Sequence, residues 1–398
     1  MTATLLHLSD WLLWFFLAAS VAYVVFFALV SLLPQQPANI QPKGEDSAVP
    51  TLSSFLVLFP AYHEDGVITD SVTSFLRQDY PADRYEVAVI SDHISDEVNR
   101  QLASLPITLH RPLFEHSSKA RALQYAMAQA GGRHFDAVVI LDADNIVQPD
   151  FLRRLSALRS RGCQAIQCHR TAKNADSDVA VLDGVSEEIN NTIFRRAHNR
   201  AGLSSALIGS GMCFDYAWFA QAVGQLSTAG EDRELEALLL GQRVFIHYAD
   251  DIIVMDEKVA TTDNFQRQRL RWMSAQVNSL LSMLPHVPHA IATGNIDYLD
   301  KTLQQALVPR SMLLVLVAAM AVVLLVLAPL RSVKWWLLLL LLATAVTIAI
   351  PRQLRTRTLC SKAMLLPQLV WRMLCNIAHI DAQNKDFIHT THEKHTKE

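Results

Sequence analysis

Three long segments without a charged side chain constrain this chain more than any other feature. Residues 11–33, 311–330 and 335–350 contain no Asp, Glu, Lys or Arg. An α-helix rises 1.5 Å per residue, so the first segment spans about 34 Å, which is enough for a hydrocarbon core about 30 Å thick. Each segment therefore predicts a transmembrane helix. These segments also explain why only 18% of the chain is charged, against about 25% in a typical soluble domain.

The charges around these segments predict an orientation in the membrane. A basic cluster follows the third segment and is expected to stay in the cytoplasm; it comprises Arg352, Arg355, Arg357 and Lys362. Three spans then place the chain between the first and second spans, and the C-terminus, on the cytoplasmic side of an inner (plasma) membrane. Arg331 and Lys334, in the short outer turn, are an exception to this rule. A cleaved signal peptide is the alternative for 1–33, but residues 1–10 lack its basic start.

Two further stretches have amphipathic patterns. From Phe265, apolar residues including Trp272, Val277 and Leu284 recur at helical spacing between arginines. This pattern predicts either a helix in the membrane interface or a buried core helix, within a proposed interfacial region at 261–310. Residues 363–380 predict a fourth span or an interfacial helix. Arg372 and Pro367 favour the interfacial helix.

Composition excludes several classes of protein. Lys and Arg number 35 against 38 Asp and Glu, so the chain has no excess of positive charge for binding nucleic acid. The five cysteines are scattered and lack a CxxC pair, which predicts reduced thiols in a cytosol-facing domain. After a polar linker at 34–50, residues 51–260 form the expected cytoplasmic domain.

Apolar runs alternate with helical patterns through the first half of this domain. Strands are predicted at 55–59, 86–90 and 137–141, and helices at 66–77 and 119–130. This alternation predicts an α/β fold with a doubly wound, mostly parallel sheet.

Polar side chains follow each predicted strand: Glu64, then Asp92, then Asp142 and Asp144. Ligands of such sheets bind beyond the carboxyl ends of the strands. Two carboxylates at this spacing are ligands for Mg²⁺ or Mn²⁺, which would hold a diphosphate. A solvated acidic loop is the alternative. Lys119, at a predicted helix start, favours a phosphate site.

Seven short motifs occur in the order found in membrane-bound family-2 glycosyltransferases. The chain resembles this family, which includes cellulose, hyaluronan and poly-N-acetylglucosamine synthases, over about 50–290. The motifs are FLVLFPAYHE (55–64), AVISDHISDE (88–97), SKARAL (118–123), VVILDADN (138–145), GSGMCF (209–214), GED (230–232) and QRLRW (268–272). The resemblance implies a GT-A-type fold, flanked by one N-terminal and two C-terminal transmembrane helices and by interfacial helices.

The resemblance implies donor and catalytic roles for particular residues. Asp92 and Asp96 resemble the pair that holds the uridine of a UDP-sugar, with Glu64, Lys119 and Arg271 as further nucleotide-sugar contacts. Asp142 and Asp144 resemble the metal-binding DxD pair, with Asp144 the direct ligand. Asp232 resembles the general base, which removes the proton of an acceptor hydroxyl so that one displacement inverts the anomeric centre. The alternative for Asp232 is a carboxylate that stabilises a helix N-terminus.

The acceptor is expected beside Gln268, Trp272, Gly211 and Glu231. Trp272 offers a flat apolar surface for a sugar, although Arg and Trp in this motif also suit membrane anchoring. Three positions depart from the family pattern: His63 replaces Asn, Arg121 replaces Gly, and Gly230 replaces Thr or Ser.

A partial match to a gating loop lies near the C-terminus, in the expected interfacial region 353–398. Phe387, His389 and Thr390 resemble part of the FxVTxK motif of cellulose synthase. A polar tail is the alternative.

Together these features predict a metal-dependent, inverting transferase that extends a β-linked polysaccharide from a UDP-sugar. Its partners are the donor, a polysaccharide or lipid acceptor, membrane lipids and a second copy or channel subunit, because three spans are few for polymer export. Transfer of one sugar to a lipid is the first alternative. A non-catalytic scaffold and a sugar nucleotidyltransferase are the others.

Overall fold

An eight-stranded sheet forms the centre of the molecule. The computed structural model describes residues 2–34, 52–228, 230–259 and 261–362, together with residues 365 and 367. The strands are β1 (Phe55–Tyr62), β2 (Tyr85–Asp92), β3 (Thr108–His110), β4 (Ala137–Ile140), β5 (Ile146–Val147), β6 (Ala165–Ala172), β7 (Met212–Asp215) and β8 (Ile246–Asp256). Their order in the sheet is β3-β2-β1-β4-β7-β6-β8-β5.

The predicted mostly parallel, doubly wound α/β sheet is confirmed. Strand β1 pairs in parallel with β2 and β4, β2 with β3, and β6 with β8. Strand β7 runs antiparallel between β4 and β6, and β5 runs antiparallel to β8. The apolar run 55–59 is completely buried, as expected for a strand with helices on both faces of the sheet.

Fifteen α-helices are present in the part of the chain that the structure describes. They are α1 (Thr2–Val30), α2 (Ile68–Phe75), α3 (Asp96–Ala103), α4 (Lys119–Gln129), α5 (Phe151–Ser160), α6 (Asp178–Asn190), α7 (Ala197–Arg200), α8 (Tyr216–Ala222), α9 (Glu231–Gly241), α10 (Thr262–Met283), α11 (Val287–Ala292), α12 (Ile296–Ala306), α13 (Arg310–Leu327), α14 (Pro329–Ala349) and α15 (Arg357–Lys362). A π-helical turn, Asn191–Arg196, joins α6 to α7. One apolar core lies on each face of the sheet.

Helices α1, α13 and α14 contain the three segments that are long and apolar enough to cross a membrane. They pack together and against α6 and the π-helical turn, with Trp335 and Ile193 completely buried between them. The third helix begins earlier than the sequence suggested, at Pro329, because the chain reverses at Ala328. Arg331 and Lys334 therefore lie in the first turns of α14 rather than in a loop.

An ion pair joins the ends of α1 and α14 that lie away from the sheet. Lys334 Nζ lies 2.7 Å from Asp10 Oδ2, and Trp335 Nε1 donates to Asp10 Oδ1 at 2.9 Å. The Lys334 ammonium also lies 3.8 Å from the ring centre of Trp11. An ion pair therefore stabilises the contact between α1 and α14 at this end, in addition to apolar packing.

The other end of α1 is attached to the domain that contains the sheet. Tyr23 Oη donates to Asp300 Oδ1 of α12 at 2.9 Å and lies 2.9 Å from His198 Nε2. The ring of Phe27 stacks on His198 at 3.8 Å. Helix α1 is therefore attached to α7 and α12 of this domain.

The predicted amphipathic helix after Phe265 is present as α10 and exposes Val277 and Leu281, which lie one turn apart on the same face. Its location in a membrane interface stays a prediction. The gating motif at 387–390 lies outside the described residues, as do 363–380 apart from residues 365 and 367.

Candidate active site

The Asp142/Asp144 pair lies in a tight loop directly after β4. The Asp142 backbone N–H donates to Asn145 Oδ1 at 3.0 Å, and Asn145 Nδ2 donates to Asp144 Oδ1 at 3.1 Å. The Glu257 N–H, just beyond β8, donates to Asp144 Oδ2 at 2.7 Å. Asp144 is buried, whereas the side chain of Asp142 is 34% exposed. Hydrogen bonds therefore fix both carboxylate oxygens of Asp144, whereas the Asp142 carboxylate is partly accessible to solvent.

Lys119 joins this loop to two other motifs. It is the first residue of α4, which begins there because the Ser118 hydroxyl accepts the Arg121 N–H. Lys119 Nζ donates to Asp142 Oδ1 and to the Gly209 carbonyl at 2.7 Å, and it lies 3.7 Å from Glu231 Oε1. Burial by itself would lower the pKa of Lys119, but the carboxylates of Asp142 and Glu231 raise it overall. The side chain is consequently an ammonium ion at neutral pH.

The first turn of α9 brings two further carboxylates to the same place. Burial raises the pKa of Glu231 to about 7, an effect that Lys119 opposes and Asp232 reinforces. Asp232 Oδ1 accepts its own helix's Arg233 N–H at 2.8 Å. Gly209, at φ +84°, approaches both residues: a Cβ there would lie 3.8 Å from Glu231 Oε1 and 4.0 Å from Asp232 Oδ2. Four motifs that are distant in sequence thus meet around one ammonium group.

Helix α10 adds a guanidinium group to this cluster of charges. Burial lowers the pKa of Arg271, while the nearby carboxylates of Glu231 and Asp142 act in the opposite direction. Arg269 pairs with Asp183 at 2.5 Å, and its guanidinium lies 4.5 Å from the ring centre of Trp272. Gln268 Oε1 is buried and has no hydrogen-bond partner within the described ranges.

Glycine positions near the site have distinct physical reasons. A Cβ at Gly230 would lie 3.2 Å from Ala275 Cβ of α10, so the Thr or Ser of the family pattern would require α9 and α10 to move slightly apart. Gly211, expected beside the acceptor, has φ +63°, and a Cβ there would lie 3.0 Å from Val254 Cγ2. The structure therefore gives Gly211 a packing role within the sheet, and Gly209 is the glycine that approaches the carboxylates.

The expected nucleotide end lies at the carboxyl ends of β1 and β2. Asp92 is buried and lies 2.6 Å from His93 Nδ1. His63 and His93 both have φ 54°, in the left-handed region that Asn tolerates better than most residues. This conformation explains why the family usually has Asn at position 63.

The other two expected nucleotide contacts lie nearer the surface. Asp96 is in the first turn of α3, where it is exposed and accepts a hydrogen bond from Arg111 at 2.6 Å. The half-buried Glu64 follows β1, and its carbonyl accepts the N–H groups of Val67 and Ile68. Asp92 is thus buried at the carboxyl end of β2, whereas Asp96 is exposed at the start of α3.

The donor set suits a metal ion that arrives with a diphosphate. Within the described ranges, no group of three or more His, Cys, Asp or Glu side chains is arranged to hold a metal alone. Mg²⁺ sites commonly use one or two carboxylates together with substrate phosphates. Asp142 and Asp144 supply that number, and hard oxygen ligands of this kind also suit Mn²⁺.

Comparison with known proteins defines the class of protein. The profile of the family described as "Glycosyltransferase like family 2" matches residues 50–275, more than half of the chain. The chain therefore belongs to this glycosyltransferase family, as its motifs predicted.

Individual relatives differ in what they act on. The chain is 29% identical over 156 residues to beta-monoglucosyldiacylglycerol synthase of Synechocystis sp., covering 37% of this chain and 30% of the relative. It is 24% identical over 282 residues to glucomannan 4-beta-mannosyltransferase 2 of Arabidopsis thaliana, covering 66% and 52%. The matched region thus spans between about a third and a half of these relatives.

A solved structure supports the fold. The mannosyltransferase PcManGT from Pyrobaculum calidifontis, in complex with GDP-Man and Mn²⁺, is similar over 91% of this chain and 99% of its own. The identity is 17% and the TM-score 0.50.

A group of buried charges that the sequence did not predict lies next to the segment that binds Asp144. We call it the Glu187 cluster; its members are Arg170, Glu187, Asp256 and Lys258, all buried. One available signal was the position of Arg170, a charged residue in the buried part of β6. Its partners could not be inferred, because they come from α6 and the end of β8.

Proposed function

We propose that this chain is a membrane-anchored, metal-dependent, inverting glycosyltransferase that uses a nucleoside diphosphate sugar, preferably a UDP-sugar. The observation that carries the proposal is the position of Lys119, which contacts Asp142 and Gly209 and lies 3.7 Å from Glu231. This position supports a single site in which donor and acceptor would meet.

The donor would lie across the carboxyl ends of β1, β2 and β4. Asp92 would contact the nucleoside, and Asp142 and Asp144 would hold Mg²⁺ or Mn²⁺ against the diphosphate. When bound, the ion would offset the negative charge of the diphosphate. Lys119 and Arg271 would supply further positive charge, and Arg271 can bind phosphate oxygens through two N–H groups.

The acceptor would approach from the side of α9 and α10. Asp232 would take the proton of an acceptor hydroxyl as that oxygen bonds to C1 of the sugar. The bond between C1 and the phosphate oxygen breaks at the same time, and the nucleoside diphosphate leaves from the opposite face. An α-linked donor therefore gives a β-linked product. Gln268 Oε1, which has no hydrogen-bond partner among the described residues, would accept a hydrogen bond from a sugar hydroxyl.

We infer that the product is a β-linked polysaccharide made at the cytoplasmic face of the inner membrane. The QxxRW motif, which recurs in enzymes that add sugars repeatedly, and the similarity to a glucomannan synthase support this inference. Export of a polymer through three spans would call for a second copy or a partner subunit. Transfer of one sugar to a lipid is the second candidate, favoured by the finding of three candidate spans among the described residues and by the similarity to a beta-monoglucosyldiacylglycerol synthase.

The test is a donor screen with the full chain in lipid nanodiscs. UDP-sugars and GDP-sugars are supplied with Mn²⁺, and the released nucleotide and the products are measured by mass spectrometry. Asp144→Asn should lower nucleoside diphosphate release at least about 100-fold, because it removes a carboxylate that would hold the ion offsetting the charge of the leaving diphosphate. Asp251→Asn is the matched control, since Asp251 is an exposed aspartate on β8 that pairs with Arg154.

The products separate the candidates. A ladder of oligosaccharides supports the polysaccharide, and a single glycolipid supports the lipid acceptor. Pyrophosphate release would identify a nucleotidyltransferase. If no donor is turned over, or if Asp144→Asn retains the parental rate, the proposed function is wrong.

A further inference from the structure

The Glu187 cluster is a closed group of two cations and two anions beneath the Asp142/Asp144 loop. Arg170 Nε donates to Glu187 Oε1 at 2.8 Å and lies 3.3 Å from Asp256 Oδ2. Lys258 Nζ pairs with Glu187 Oε2 and lies 2.7 Å from Asp256 Oδ1. Each anion therefore contacts both cations, and the formal charges cancel. Buried charges persist in proteins when they are paired in this way.

This cluster fixes the backbone that holds Asp144. Asp256 and Lys258 flank Glu257, whose N–H donates to Asp144 Oδ2 at 2.7 Å. Asn174 holds the same segment from the other side: its Oδ1 accepts the Lys258 N–H at 2.7 Å, and its Nδ2 donates to the Lys258 carbonyl at 3.1 Å. The orientation of the Asp144 carboxylate thus depends on a segment that is itself held by buried ion pairs.

Helix α6, which carries Glu187, is connected to two other parts of the molecule. Asp183, one turn earlier, pairs with Arg269 of α10 at 2.5 Å. Arg310, at the start of α13, donates to Asn190 Oδ1 at 2.7 Å and to the Ser186 carbonyl at 3.0 Å. Polar contacts therefore connect α6 to the segment behind Asp144, to the QxxRW helix and to a candidate membrane helix.

We propose that Glu187 is a positioning residue for the Asp142/Asp144 site. Its carboxylate pairs with Arg170 and Lys258, and these two cations stabilise the 256–258 segment. That segment in turn orients Asp144 toward a metal–diphosphate ligand. Glu187 touches neither the ligand nor the reacting atoms in this account. The identity of the ligand rests on the proposed function.

The adjacent Glu188 provides a matched control. It is on the same helix and is also buried, but its carboxylate pairs with His169 at 3.0 Å and accepts from Thr171 at 2.8 Å, outside the Glu187 cluster. Glu187→Gln and Glu188→Gln therefore make the same chemical change at neighbouring buried sites. Only the first breaks the contacts behind Asp144.

The experiment measures Mn²⁺ binding, in the presence of UDP, by electron paramagnetic resonance of free Mn²⁺ with the full chain in detergent. Glu187→Gln should weaken Mn²⁺ binding 10- to 100-fold, the usual effect of losing a residue that supports a metal ligand. Glu188→Gln should stay within about threefold of the parent, even if both variants have lower melting temperatures. Equal Mn²⁺ affinity in the parent and Glu187→Gln, or equal losses in the two variants, would overturn the proposal.

A second variant covers a failure of Glu187→Gln to fold. Glu187→Gln combined with Lys258→Met keeps the cluster electrically neutral, and it is expected to fold while Mn²⁺ binding stays at least about tenfold weaker. Parental Mn²⁺ affinity in this double variant would overturn the proposal. A parent that binds neither Mn²⁺ nor UDP would instead contradict the proposed function, so the two failures are distinguishable.

Discussion

Replacing Lys119 with Met removes the charge that holds the candidate site together. The side chain is nearly isosteric, but Asp142 and Glu231 lose their shared cation and the Gly209 carbonyl loses its donor. Removing one partner of a buried ion pair costs about 3–5 kcal/mol. Partial exposure of Asp142 and protonation of Glu231 relieve part of this cost, so we expect about 2–4 kcal/mol at pH 8.

The pH dependence of this loss identifies its cause. Because the pKa of Glu231 is already about 7 in the parent, that carboxyl is mostly protonated at pH 5.5 and gains little from Lys119 there. The destabilisation caused by Lys119→Met should therefore be larger at pH 8 than at pH 5.5.

Thermal unfolding in detergent at the two pH values measures the effect, which should be a fall in melting temperature of roughly 2–5 °C at pH 8. Lys173→Met is the control, because its partner Glu257 is 4.0 Å away and its side chain is 37% exposed; such surface pairs contribute about 0–1 kcal/mol. A loss below about 1 kcal/mol for Lys119→Met, or one that is independent of pH, would refute this reasoning.

Three further predictions concern stability, each measured by thermal unfolding. The pKa of Glu231 is 4.5 in the unfolded chain and about 7 in the folded protein, so the parent loses stability as pH rises from 4.5 to 7. Glu231→Gln cannot titrate. Its stability relative to the parent should therefore increase by up to about 3 kcal/mol over this pH range. Gly211→Ala should cost about 1–3 kcal/mol, because its Cβ would lie 3.0 Å from Val254. Asp10→Asn should destabilise the protein by about 3 kcal/mol, and combining it with Lys334→Met should restore part of that loss. The first expectation is contradicted if the stability difference between Glu231→Gln and the parent does not change with pH. The second is contradicted if Gly211→Ala has the parental melting temperature, and the third if the losses caused by Asp10→Asn and Lys334→Met simply add.

Local patterns predicted the parts of the fold that depend on neighbouring residues. The apolar runs at 55–59 and 86–90 fall within β1 and β2, the third run forms β4 up to Ile140, and the helix that follows Ser118 begins at Lys119. The position of β7 between β4 and β6 could not be predicted in this way. Its two antiparallel pairings depend on long connections that leave no periodic signal in the sequence.

The candidate site was predictable as a set of strand ends but not as a set of contacts. Asp142 and Asp144 were identified because acidic residues follow an apolar strand, and they lie where that rule puts them. Lys119 was expected beside a nucleotide, whereas its contacts with Asp142, Gly209 and Glu231 arise only when three segments come together. The Glu187 cluster was missed for the same reason, since Lys258 and Glu187 are 71 residues apart.

The most direct test of the central claim separates binding from chemistry in Asp232→Asn. Donor affinity is measured by titration with a nucleoside diphosphate and Mn²⁺, and single-turnover release of the nucleoside diphosphate is measured with acceptor present. If Asp232 is the base, the affinity should stay within about threefold of the parent while release falls at least about 100-fold. Parental release by Asp232→Asn would contradict the account.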